Sequence, residues 1–234
     1  MKRDFPSLRD FSRDELSQVL EQAQAFKQGR LKSSLEGKAV VMVFEKASTR
    51  TRISFEVGID RLGGHPIVLT PGTSQMGRGE PLKDTARILS RYAEMIVMRT
   101  YAHATIEEIA QWADVPVINA LTDLLHPCQV LSDCFTLSEI FGELTDKKIA
   151  WIGDGNNMAN SWINAAALFG FELSLACPAG YEPDKAILNA AFIDGAKVTV
   201  VRDPAEAVAG AIAVNTDVWA SMGQEEESGI RAQA

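Results

Sequence analysis

Short apolar runs alternate with longer amphipathic stretches along the whole chain. Lys38 to Phe44 (KAVVMVF) is almost continuously apolar and rich in β-branched residues, the pattern of a strand buried on both faces. Runs at 65–69, 95–98, 115–119, 148–152, 172–176, 197–201 and 211–215 predict further strands. Between them lie helical patterns. Ser12 followed by Glu15 reads as a capping box, and Leu16, Val19 and Leu20 then repeat at helical spacing, so the first helix runs to Lys27. Other helices are predicted from Ser48 to the Gly63-Gly64 stop and over 81–92, 105–113, 127–141, 158–169, 184–192 and 204–208. Pro127 suits a first helical turn.

Regular alternation of strand and helix implies α/β architecture with parallel sheets. A second series begins at Lys147. The expected fold class is therefore α/β, with two Rossmann-like parallel-sheet domains over residues 1–135 and 136–234. The helix at 127–141 bridges them. The second series is short for a doubly wound domain, turns acidic after Trp219 (QEEES) and stops at Ala234, so it is expected to be incomplete.

The 234 residues are 46% hydrophobic and 23% charged, ordinary for a globular protein large enough to bury a core. With 23 Lys+Arg against 31 Asp+Glu the net charge is −8, which argues against a broad nucleic-acid-binding surface. A small anion site remains open, because a few focused arginines act inside an acidic surface. No segment approaches the roughly 18 apolar residues of a membrane span, and the N-terminal MKRDFPSLRDFSRDEL lacks the apolar core of a signal peptide. Cys128, Cys134 and Cys177 read as free thiols, so a reducing, cytoplasmic location is expected.

Chemistry concentrates where strands end. Ser48-Thr49-Arg50-Thr51-Arg52 follows a buried strand and opens a helix. Orphan N–H groups at that terminus, the hydroxyls and the Arg50 fork suit a dianionic phosphate. The plainer alternative is a capped helix with solvated arginines. Arg99 ends the run MIVM at the same edge of the sheet. His126 and Gln129, in H-P-C-Q, are one helical turn apart: a neutral histidine donates to a carbonyl oxygen, and the Gln129 side-chain oxygen accepts from an amide NH₂. A Cys128 nucleophile beside His126 is a competing reading, and His65 and His103, at a strand start and in a loop, receive no role. Gly153-Asp154-Gly155-Asn156-Asn157 invites a dinucleotide reading, but Met158 stands where the third glycine or alanine belongs and the next strand ends without an acid. Its asparagines equally suit a helix cap and a carboxylate ligand. Asp217, in DVWASMG, suits a cationic amine, against a simple turn with Trp219 as packing.

Together FEKASTRTRISFEVG, SQMGRGE, KDTAR, MRTY, HPCQ, GDGNNMANSW and TDVWASMGQE closely resemble the ornithine carbamoyltransferases, within the wider aspartate/ornithine carbamoyltransferase family. The resemblance runs along essentially the whole chain. It implies transfer of a carbamoyl group from carbamoyl phosphate to the side-chain amine of L-ornithine, giving citrulline and phosphate in arginine metabolism, without metal or organic cofactor. It implies that Ser48, Thr49, Arg50 and Thr51 hold the phosphate, that Arg99 and His126 are the catalytic contacts to phosphate and carbonyl oxygens, and that Gln129 meets the carbamoyl nitrogen. Gln75 would reach a neighbouring subunit's site in a homotrimer. Asn157, Asp217, Ser221 and Met222 would bind ornithine. The family continues past the S-M-G segment to an H-C-L-P loop, a late arginine and a C-terminal helix that are not in these 234 residues, so a fragment with an intact phosphate half and an incomplete ornithine half is expected. Rival readings are another amine acceptor such as putrescine, an NAD-linked dehydrogenase built on GDGNN, and a non-catalytic phosphate-binding protein.

Overall fold

The computed structural model describes residues 2–31, 34–72, 76 and 79–218. The chain divides into two compact units, Met1–Cys128 and Gln129–Ala234.

The first unit runs α1 (Arg13–Lys27), β1 (Ala39–Phe44), α2 (Arg50–Arg61), β2 (His65–Leu69), α3 (Leu82–Tyr92), β3 (Met95–Arg99), α4 (His103–Trp112) and β4 (Val117–Leu121), and α5 (Pro127–Phe141) begins in it. The capping box predicted for α1 is present: Ser12 Oγ accepts from Glu15 N, and the Glu15 carboxylate accepts from Ser12 N. A single 3₁₀ turn at Leu8–Asp10, which the pattern does not announce, precedes it with its own box between Ser7 and Asp10.

The strands lie in the order β2-β1-β3-β4, all parallel. Val41 and Val43 of β1 face Ala86 of α3 and Ile106 and Ile109 of α4. Val40, Met42 and Phe44 face Phe55 and Ile59 of α2. Because helices cover both faces, every position of β1 is apolar, as its sequence foretold. β4 starts at Val117, two residues later than its pattern suggests. Pro116 has no N–H to give a ladder, and Val117 N instead donates to Asp4 Oδ1 at 2.8 Å. α4 likewise begins at His103 rather than Thr105, so His103 is helical, not in a loop.

β1 has β2 on one side and β3 on the other. The connections leaving β1 and β3 therefore diverge, and a crevice opens at their C-terminal ends, the place where open parallel sheets receive ligands.

In the second unit the remainder of α5 leads to β5 (Lys148–Ile152), α6 (Asn157–Phe169), β6 (Glu172–Ala176), α7 (Lys185–Ile193), β7 (Val198–Val201), α8 (Pro204–Val208) and β8 (Ala213–Thr216). This sheet is also parallel, in the order β7-β6-β5-β8. Gly170 ends α6 in the left-handed region, φ 74°, where glycine carries no steric penalty. On one face of the sheet Ala150 and Ala176 pack against Ala207 of α8. The chain switches sides between β5 and β8, so this sheet too has a crevice at its strand ends.

Candidate active site

Arg99 closes β3 directly beside Phe44, the last residue of β1. Its side chain is 4% exposed and Nη1 donates to Thr51 Oγ1 at 3.3 Å. Nε has no hydrogen-bond partner, and no carboxylate pairs with the guanidinium among the described residues. Burial holds Arg99 below the ordinary arginine value, because a buried cation is poorly solvated. An unpaired buried cation is costly, and an anion in the crevice would relieve that cost.

The N-terminus of α2 faces the same edge. It starts at Arg50 rather than Ser48, and its N-cap, Thr49, makes no side-chain capping bond. No acidic residue occupies the first turn. The orphan N–H groups and the positive end of the helix are thus left for an external acceptor. Ser48 is half-buried in the preceding loop, and Thr49 and Arg50 are exposed. Arg52 is spent on its own helix, with Nη2 3.3 Å from Glu56 Oε1. Arg50 takes no ion pair among the described residues.

Three strand ends are stitched together around this edge. Glu45 N donates to Arg99 O at 2.9 Å, Thr100 N to Leu121 O at 3.0 Å, and Asp123 N to Tyr101 O at 2.9 Å. The Thr100 hydroxyl donates to Glu45 Oε2. Lys46, 7% exposed, pairs with Asp123 and lies 4.5 Å from the Tyr101 ring centroid. Apart from Arg99, none of these residues was singled out from sequence. Lys46 and Asp123 are 77 positions apart, and nothing local to either announces the pairing.

His126 follows a turn in which Thr122 N donates to Leu125 O at 2.8 Å and Leu125 N to Thr122 Oγ1 at 3.0 Å. Burial first, and the Arg99 charge second, push its pKa down to about 4. The ring is therefore neutral at physiological pH, with an N–H donor and an acceptor nitrogen. His103 Nδ1 lies 3.1 Å from the Thr122 hydroxyl and so supports the turn. His65 is exposed at the start of β2.

Cys128 does not suit a nucleophile. Its Sγ donates to Asn119 O at 3.3 Å, and burial pushes the thiol up to about 12. Gln129, one helical turn beyond His126, is exposed, and its Nε2 donates to Asp133 Oδ1 at 2.9 Å.

In the second unit Asn156 caps α6, accepting from Met158 N at 2.9 Å and Ala159 N at 3.2 Å. Its Nδ2 donates to Asp217 Oδ2 at 3.2 Å, bridging the loops after β5 and β8. Asn157 is the first residue of α6, and Asp217 is exposed just beyond β8. Gly155 has a purely internal reason to be glycine: a Cβ there would lie 2.1 Å from Pro183 N. Its N–H donates to Tyr181 O at 2.7 Å. The feature that invited a dinucleotide reading is thus used by the chain's own backbone. Gln75, Ser221 and Met222 lie outside the described residues.

A model described as aspartate/ornithine carbamoyltransferase, carbamoyl-P binding domain, matches residues 3–139, and one described as the Asp/Orn binding domain matches residues 145–234. The chain belongs to the aspartate/ornithine carbamoyltransferase family and is a carbamoyltransferase. Among its curated relatives is an ornithine carbamoyltransferase of Pelobacter propionicus, 56% identical over 239 residues, covering 100% of this chain and 78% of the relative. The ornithine carbamoyltransferase of Pyrococcus furiosus, 44% identical, superposes with a TM-score of 0.92 over 99% of this chain and 76% of its own. An N-acetyl-L-ornithine transcarbamylase variant solved with carbamyl phosphate and N-succinyl-L-norvaline is 32% identical, with a TM-score of 0.86 over 98% of this chain and 81% of its own.

Proposed function

We propose that this chain transfers the carbamoyl group of carbamoyl phosphate to the side-chain amine of L-ornithine, giving L-citrulline and phosphate. The observation that carries the reading is the buried Arg99 guanidinium, without a carboxylate partner among the described residues, beside the uncapped terminus of α2. Ser48, Thr49, Arg50 and Thr51 hold the phosphate at that terminus. Arg99 and His126 meet the oxygens of the carbamoyl phosphate, and Gln129 accepts from its NH₂. Asn157 and Asp217 serve ornithine, together with Ser221 and Met222, and Gln75 serves a neighbouring subunit of a trimer. Arginine metabolism in the cytoplasm is the matching role, and no helix among the described residues is long and apolar enough to cross a membrane.

The chemistry follows from the charges. The neutral amine attacks the carbonyl carbon, a new N–C bond forms, and negative charge grows on the carbonyl oxygen before the C–O bond to phosphate breaks; the attacking nitrogen gives up one proton, which the departing phosphate takes. Donors already aimed at that oxygen stabilise the transition state, and losing one costs roughly 10²–10³ in rate. A histidine held neutral supplies such a donor without adding a second full positive charge beside Arg99. Pairing with arginine stabilises the departing phosphate.

Calorimetric titration with carbamoyl phosphate, repeated with inorganic phosphate as competitor, tests the phosphate half. Competitive binding is expected, and absence of binding overturns the reading. Phosphate release in the presence of ornithine tests the acceptor. Faster release with putrescine would move the assignment to another amine.

A further inference from the structure

The first two turns of α5 carry a contact, between Gln129 and Asp133, that the proposed chemistry does not yet use. Gln129 Nε2 donates to Asp133 Oδ1 at 2.9 Å, an i,i+4 contact along the helix. A side-chain amide has two different ends, and either can face a ligand. An ionised carboxylate only accepts, so it takes the NH₂ end and leaves the Gln129 oxygen as the end available to a ligand. Asp133 is itself half-buried, and its Oδ2 is buried without a hydrogen-bond partner among the described residues. The Gln129 amide is thus the side-chain donor that the described structure gives this carboxyl group. Burial pushes the Asp133 carboxyl above the ordinary carboxylate value, and the hydrogen bond from Gln129 pulls it back down.

We propose that Asp133 is a positioning residue: it holds the Gln129 amide with its oxygen outward, so that the site accepts a hydrogen bond from the carbamoyl NH₂ and discriminates against acyl phosphates without an N–H donor. The inference rests on the reading of Gln129 given above. Without the Asp133 carboxylate nothing holds the NH₂ end of the amide, and a turned amide presents NH₂ to NH₂ and loses the hydrogen bond. Discrimination then falls while the phosphate cradle on α2, built from other residues, is untouched.

The test compares three ligands on the full chain: carbamoyl phosphate, acetyl phosphate, in which a methyl replaces the amine, and inorganic phosphate. Asp133→Asn, and Asp133→Ser should the first variant fold poorly, are expected to weaken carbamoyl phosphate by roughly tenfold, the scale of one lost hydrogen bond. Acetyl phosphate and inorganic phosphate should stay within about twofold. Asp133→Glu, which keeps a carboxylate, should restore part of the preference, and Asp133→Asn added to Gln129→Ala should change nothing further. Unchanged carbamoyl phosphate affinity, or an equal loss for all three ligands, overturns the positioning role. A parent chain that already fails to prefer carbamoyl phosphate over acetyl phosphate removes the Gln129 role and this inference with it. A parent that prefers it, matched by Asp133→Asn, removes this inference alone.

Discussion

Lys46 and Asp123 form an ion pair that ties the loop after β1 to the loop after β4. The pair is lopsided: the Lys46 side chain is 7% exposed and that of Asp123 is 61% exposed. Removing either partner therefore leaves a different residue behind. Asp123→Asn strands an ammonium in a poorly solvated place, at a cost of about 1–3 kcal/mol. Lys46→Met leaves a carboxylate already in water and keeps most of the packing, at under about 1 kcal/mol. Urea unfolding of the two variants should rank Asp123→Asn as the less stable. The opposite ranking would show that Lys46 stabilises through the Tyr101 ring rather than through the pair.

His126 makes stability depend on pH. Its folded pKa of about 4 lies below the ordinary 6.5, so the unfolded chain binds the proton more readily. The penalty is absent above the unfolded value, grows as the pH falls from about 6.5 to 4, and amounts at most to roughly 3 kcal/mol. His126→Gln should flatten the loss of stability across that window in unfolding titrations. Activity should show no His126 inflection between pH 6 and 8, since the ring is neutral throughout. A rate that falls with a midpoint near 6.5, and loses that midpoint in His126→Gln, would contradict the assigned state.

Arg50 and Arg52 stand two residues apart, but of the two Arg52 alone takes an ion-pair partner among the described residues. Arg50→Ala should weaken carbamoyl phosphate binding by about 1.5–3 kcal/mol, the scale of a lost charged hydrogen bond. Arg52→Ala removes an exposed pair with Glu56 and should leave affinity nearly unchanged. Calorimetric titration separates them, and equal losses would place both guanidinium groups on the ligand.

Asp217→Asn should leave phosphate binding intact and impair ornithine, because the charge lies in the second unit, 3.2 Å from Asn156 Nδ2. The Asn156 cap on α6 has its own backbone donors, so the helix should survive. An equal loss of both ligands, read by titration of each, would refute the division of labour.

Much of this molecule was legible in its chain because the governing physics is local. Alternating faces of a strand, the Ser12–Glu15 box and the Pro127 helix start each act within a few residues, and their signatures survive in one dimension. The S-T-R-T-R string and Arg99 were legible as candidates for an anion site, since strand ends in parallel sheets open toward ligands, and the fold brings Arg99 to Thr51. Even so, tertiary contact moved boundaries, as at β4, where Pro116 cannot join the ladder.

What the sequence determined alone was the order of strands and helices and the chemical types at their ends. The fold decided the states of those groups: that Arg99 reaches Thr51 across 48 positions, that His126 is neutral, and that Gly155 is reserved for the backbone at Pro183. The reason is that desolvation and through-space charge depend on neighbours brought together only by folding, and composition and spacing carry no record of them.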